Sequence, residues 1–150
     1  MWQRLTARAQ QAVFDAEIEA HLNGDPIVLT EHLLLGILRG SENVACCVLA
    51  SLEVNPEQFS LSLKRKMPKA SLIKVDELTL AQSAKKAIDF AYDESRNRIG
   101  NDYIGTEHLL LGMLREERGL AGRVLREHGL ELEKTRDSVI LVQAKMRATP

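Results

Sequence analysis

Two pairs of adjacent side chains, Glu31-His32 and Glu107-His108, are the residues of this chain best equipped for chemistry. A carboxylate beside an imidazole could pass a proton as acid and base or bind a metal ion. A carboxylate alone could hold a guanidinium by two parallel hydrogen bonds. Each pair follows a threonine and precedes a run of leucines, in "TEHLLLGILR" at 30–39 and "TEHLLLGMLR" at 106–115. Only Ile37 and Met113 differ between the two stretches.

The spacing argues against a metal. Neighbouring residues point about 100° apart on a helix, no second ligand follows four residues on, and His-Glu-x-x-His is absent. Catalysis lacks further parts: His21 and His128 are the other histidines, and no Ser/His/Asp or Cys/His set can be assembled. Cys46 and Cys47 are adjacent, which suits neither a disulfide nor a paired metal site. They read as small helix residues, one facing the core, in a reducing cytoplasmic compartment. No G-x-x-x-x-G-K-[ST] phosphate loop occurs. The expectation is therefore no catalytic residue, no metal and no cofactor in this domain.

Recognition remains. Glu31 and Glu107 stand at helix starts, where unpaired backbone N–H groups can also hold an anion. A ligand carrying both a guanidinium and a phosphate would suit such a place. The alternative is purely architectural: Thr30 and Thr106 cap their helices, and the two glutamates satisfy the helix dipoles.

The elements that must position these residues form a repeat. The two motifs lie 76 residues apart, and downstream Ala45, Val48 and Leu49 meet Ala121, Val124 and Leu125 at the same spacing. Upstream the spacing is 75, pairing Leu5, Ala9, Ala12 and Ala16 with Leu80, Ala84, Ala87 and Ala91. The change places a one-residue insertion within "SRNRIGNDYIG". Helical apolar spacing runs from Leu5 to Leu22, across the motif, over "VACCVLASL", and through "NPEQFSLSLKRKM" with Asn55 as N-cap and Pro56 in the first turn. The second copy repeats this over 80–97, 106–115, 119–128 and 131–147. The reading is all-α: eight helices in two four-helix repeats related by a pseudo-twofold axis, with no sheet beyond a short pairing. Repeat one covers about 2–66, the connection 67–78, and repeat two about 79–147. A unit of half this chain buries only a marginal core, so the halves are expected to pack as one domain around the two leucine triplets.

Composition narrows the partners. A net charge of −1 exerts no global pull on nucleic acid or anionic lipid, and 4% aromatics offers few stacking platforms. No apolar run nears the ~20 residues of a membrane span. No targeting segment is visible at the N-terminus. The cluster Lys64-Arg65-Lys66 with Lys69 reads as a solvated helix end.

"GTEHLLLGMLREERGLAGRVLREHGLELEKTRDSV" closely resembles the second repeat of the N-terminal domain of Clp-family AAA+ unfoldases, especially the ClpC type. "LTARAQQAVFDAEIEAHLNGDPIVLTEHLLLGILRGSENVACCVLASLEVNPEQF" resembles the first. The resemblance spans about residues 2–146. It implies a non-catalytic domain that docks adaptor proteins and protein substrates and passes them to a hexameric Clp ATPase ring and its protease core. In ClpC-type proteins of Gram-positive bacteria, it further implies recognition of phosphoarginine at two related sites. The family's site glutamates match Glu31 and Glu107, within motifs begun by Thr30 and Thr106. A threonine near the start of each repeat matches Thr6, but Ala81 stands in the second repeat. The family's glycine before the motif is kept as Gly105 and replaced by Leu29. These departures predict two inequivalent sites. The chain closes on "KMRATP" without an ATPase module, which leaves a stand-alone accessory factor of the Clp machinery as an alternative. A small metal-dependent hydrolase using the Glu-His pairs and a dimerising bundle without ligand are the readings from other classes.

Overall fold

The computed structural model of the chain describes residues 2–40, 42–68 and 79–148. Among these residues are eight α-helices: α1 (Ala7–Leu22), α2 (Thr30–Arg39), α3 (Val44–Ser51), α4 (Pro56–Lys66), α5 (Gln82–Asp93), α6 (Thr106–Arg115), α7 (Leu120–Glu127) and α8 (Leu132–Ala148). α1–α4 and α5–α8 are the two repeats. Residues 69–78 of the connection, Lys69 among them, lie outside the described residues.

Side-chain caps explain the starts of α1, α3 and α4. The Thr6 hydroxyl accepts from the Ala9 N–H (3.1 Å) and starts α1. Asn43 starts α3 by accepting from Cys46 N–H. Asn55 starts α4 by accepting from Glu57 and Gln58, with Pro56 in the first turn. α1 begins later than the periodicity suggests, because Leu5 is held in a bridge to Ile104 and a 3-10 turn (Trp2–Arg4) precedes it.

The inserted residue is absorbed inside a helix. After α5 the chain widens into π-helical turns (Glu94–Ile99), ending at Gly100 with φ of 90°. Ala20 and Ser95, both fully buried, keep the upstream spacing, whereas Gly24 and Gly100 already have the downstream one. The extra residue therefore falls within 96–99, in the segment where each turn holds more residues.

α1 pairs with α2 and α5 with α6 as close helical hairpins. The motif glycines permit the approach. A Cβ on Gly36 would lie 2.2 Å from the Ala12 carbonyl oxygen, and one on Gly112 would lie 2.1 Å from that of Ala87. Leu33–Leu35 and Leu109–Leu111 are buried at the centre, in an apolar cluster drawing on both repeats. Of the two cysteines, Cys46 faces this core and Cys47 is exposed. Burial pushes the Cys46 thiol up to about 11.

Two short backbone straps join the repeats. β1 (Ile27–Val28) runs parallel to β2 (Thr79–Leu80), and Ala81 N–H donates to Val28 (2.8 Å). Reciprocally, Thr6 N–H donates to Ile104 (2.9 Å) and Ile104 N–H to Arg4 (2.8 Å). The chain entering each motif thus pairs with the chain entering the first helix of the other repeat.

Candidate functional site

Leu29 and Gly105, not the threonines, occupy the N-cap positions of α2 and α6, in extended backbone. Thr30 and Thr106, expected from the sequence to cap these helices, are instead their first helical residues. Each threonine is already helical, so its hydroxyl turns away from its own helix and serves the opposite repeat. Thr106 Oγ1 accepts from Ala45 N–H at the start of α3 (3.1 Å), and Thr30 Oγ1 accepts from Ala121 N–H at the start of α7 (3.4 Å). Both threonines are buried.

The histidines take over the local work. Leu29 N–H donates to His32 Nδ1 (2.9 Å), and Gly105 N–H donates to His108 Nδ1 (2.8 Å). This is the reach-back half of a capping box, made by imidazole in place of Glu or Gln. With Nδ1 accepting, the ring proton sits on Nε2. It is donated to Asp25 Oδ2 (2.7 Å) in the first repeat and to Asn101 Oδ1 (2.8 Å) in the second. Both rings are fully buried, and burial lowers the His108 pKa to about 4. With both nitrogens committed to holding the loop, neither ring is placed to relay a proton to a ligand. Among the described residues, no group of three His, Cys, Asp or Glu side chains could hold a metal ion.

The two glutamates differ in surroundings. Glu107 is buried, and its Oε2 accepts from Gln143 Nε2 on α8 (3.0 Å), an amide that also donates to Asn101 (3.1 Å). Burial raises the Glu107 pKa, against the opposing pull of the Gln143 amide and its own backbone N–H. Its carboxylate folds back over Gly105, where an added Cβ would stand 2.0 Å from Oε1. Leu29 occupies the matching position in repeat one and denies Glu31 that conformation. The Glu31 carboxylate lies instead beside the Thr30 hydroxyl at 3.5 Å and keeps 6% exposure. Met67, beyond the end of α4, stands where the second repeat has Gln143.

The straps regroup the remaining site residue. Thr6 belongs to repeat one in sequence, yet its backbone pairs with Ile104, on the approach to Glu107. Ala81 pairs with Val28, on the approach to Glu31. Gly105 and Thr6 therefore flank the approach to Glu107, while both departures, Leu29 and Ala81, flank that to Glu31. Sequence alignment within each repeat had no means to see this exchange. Gln143 was missed for the same reason: it lies 36 residues from Glu107 and carries no motif.

Known proteins agree with this architecture. The family described as the Clp repeat (R) N-terminal domain matches residues 4–140. The chain is 36% identical over 140 residues to the negative regulator of genetic competence ClpC/MecB of Bacillus subtilis, covering 93% of this chain and 17% of that protein. It is thus similar to about a sixth of a much longer relative. The N-domain of ClpV from Vibrio cholerae superposes with a TM-score of 0.81 at 15% identity, covering 95% of this chain and 87% of that one. A ClpV N-domain in complex with a VipB peptide superposes with a TM-score of 0.78 at 16% identity, covering 95% and 89%. At such identities the structures speak for the fold, and the family match spans nearly the whole sequence: the chain belongs to the Clp repeat (R) N-terminal domain family.

Proposed function

We propose that this domain is a non-catalytic docking module that receives adaptor and substrate proteins for a Clp ATPase ring, and that it recognises phosphoarginine through the Thr-Glu-His motif, foremost at Glu107. The family membership and the peptide seen on a ClpV N-domain support docking. The observation that carries the finer reading is the buried Glu107 carboxylate, whose side-chain partner is a neutral amide N–H. An incoming guanidinium can replace that single donor by two charged ones, which satisfies a buried carboxylate far better. The Thr6 turn, strapped to the same approach, opens α1 beside it, and a helix start favours an anion such as phosphate. Glu31 supplies the second, weaker site, because Leu29 and Ala81 flank it in place of glycine and threonine.

Calorimetric titration with free phosphoarginine tests this. Binding is expected in the wild type, reduced about tenfold or more by Glu107→Ala and less by Glu31→Ala. No detectable binding in the wild type would refute phosphoarginine recognition. Equal losses in the two variants would refute the ranking of the sites.

A further inference from the structure

The basic cluster at the end of α4 has a place in the fold that the motif sites do not explain. A groove of about 690 Å³ opens between the ends of α1, α2 and α4. Leu22, Leu35 and Met67 make its apolar part, and Leu22 is 69% exposed. Its charged rim consists of Glu19, Arg39, Lys64 and Arg65. Arg39 pairs with Glu19 (3.3 Å), so those two charges cancel. Lys66, outside the groove, is engaged by Glu127. Among the described residues Lys64 and Arg65 have no ion-pair partner, and both are exposed at the groove edge.

The second repeat fills the corresponding positions differently. Glu94, the counterpart of Glu19, is fully buried there. Arg136 reaches it from α8 with Nη2 at 2.7 Å from Oε1 and Nε at 3.2 Å from both oxygens. The position matching Arg136 in repeat one is Ser60, too short to reach Glu19. The positions matching Lys64 and Arg65 are Ile140 and Leu141. Repeat one thus replaces an internal ion pair and two apolar residues by an open groove with two cations that have no ion-pair partner among the described residues.

We infer that this groove docks an acidic segment of a partner protein that also carries an exposed aliphatic anchor. An aliphatic side chain would cover Leu22 and Met67, while adjacent carboxylates would meet Lys64 and Arg65. The uncompensated positive charge beside exposed apolar surface selects an acidic partner over a neutral or basic one. This surface is separate from the motif carboxylates and does not depend on phosphoarginine.

A fluorescently labelled peptide of alternating glutamate and leucine serves as the probe, followed by anisotropy on the 150-residue chain. Its controls are the same peptide with lysine for glutamate and with serine for leucine. Saturable binding of the acidic leucine peptide alone is expected, weakening as salt rises. The pair Lys64→Glu with Arg65→Glu, both exposed and remote from the core, is expected to weaken binding about tenfold. Leu22→Ser is expected to weaken it too, whereas Glu31→Gln and Glu107→Gln leave it unchanged. Equal binding of the lysine peptide, indifference to the double charge reversal, loss of binding in the motif variants, or no binding at all would each overturn the inference.

Discussion

His108 concentrates the residue-scale physics of the motif. Its pKa near 4, against 6.5 for a free imidazole, means that the folded chain refuses a proton which the unfolded chain accepts between those values. The stability from the neutral ring is fully present above pH 6.5 and is lost as pH falls toward 4, by of order 3 kcal/mol. Glu107 acts in the opposite sense. Its raised pKa makes the folded carboxyl take up a proton before the unfolded one does, which returns stability as pH falls. Urea unfolding from pH 7 to 4 should therefore show a decline in the wild type and a steeper decline in Glu107→Gln. Folded-state NMR titration of His108 checks the cause directly: a midpoint near 6.5 would contradict it. The sequence drew attention to this histidine by its repetition, but not to its role. A buried imidazole closing its own helix start looks the same in sequence as one poised for acid–base work.

At the scale of elements, the glycine of each motif decides how closely two helices approach. Gly36→Ala and Gly112→Ala would each press a methyl into a backbone carbonyl, which cannot swing aside as a side chain can. Each should cost roughly 3 kcal/mol in denaturant unfolding. Gly40→Ala is the control: its added carbon would come no nearer than 3.4 Å to its surroundings, at Asn43 Nδ2, so it should cost less than about 1 kcal/mol. Similar losses for all three would show that the close approach at Gly36 and Gly112 does not set the cost, since helix propensity by itself favours alanine at both. Helix positions were legible because apolar spacing, caps and turn residues agree locally. The π-helical turns were not. A one-residue insertion is visible in an alignment, but only the buried neighbours on either side decide whether it bulges a loop or widens a helix.

At the scale of the whole molecule, the two repeats are cross-wired rather than merely stacked. Thr106 in repeat two caps α3 of repeat one, Thr30 caps α7 of repeat two, and each backbone strap spans both halves. Thr106→Val should cost about 1 kcal/mol. It should also speed hydrogen exchange at the Ala45 amide, 61 residues away in the chain. Thr30→Val should do the same at Ala121, more weakly, since that contact is longer at 3.4 Å. An Ala45 amide that exchanges no faster in Thr106→Val would deny the cross-repeat cap.

By itself the sequence determined the fold class, the duplication and the identity of the two motif glutamates. Those follow from helical periodicity and from near-identical stretches, which are properties of residues close together in the chain. Only the tertiary structure decided which side chains share a site. It turned Thr30 and Thr106 from local caps into caps for the opposite repeat, set Thr6 on the approach to Glu107, brought Gln143 onto that carboxylate, and opened the groove beside Lys64 and Arg65. Each of these depends on how the two halves or their terminal helices pack. Such packing is settled by shape and burial between residues far apart in the chain, which no local pattern records.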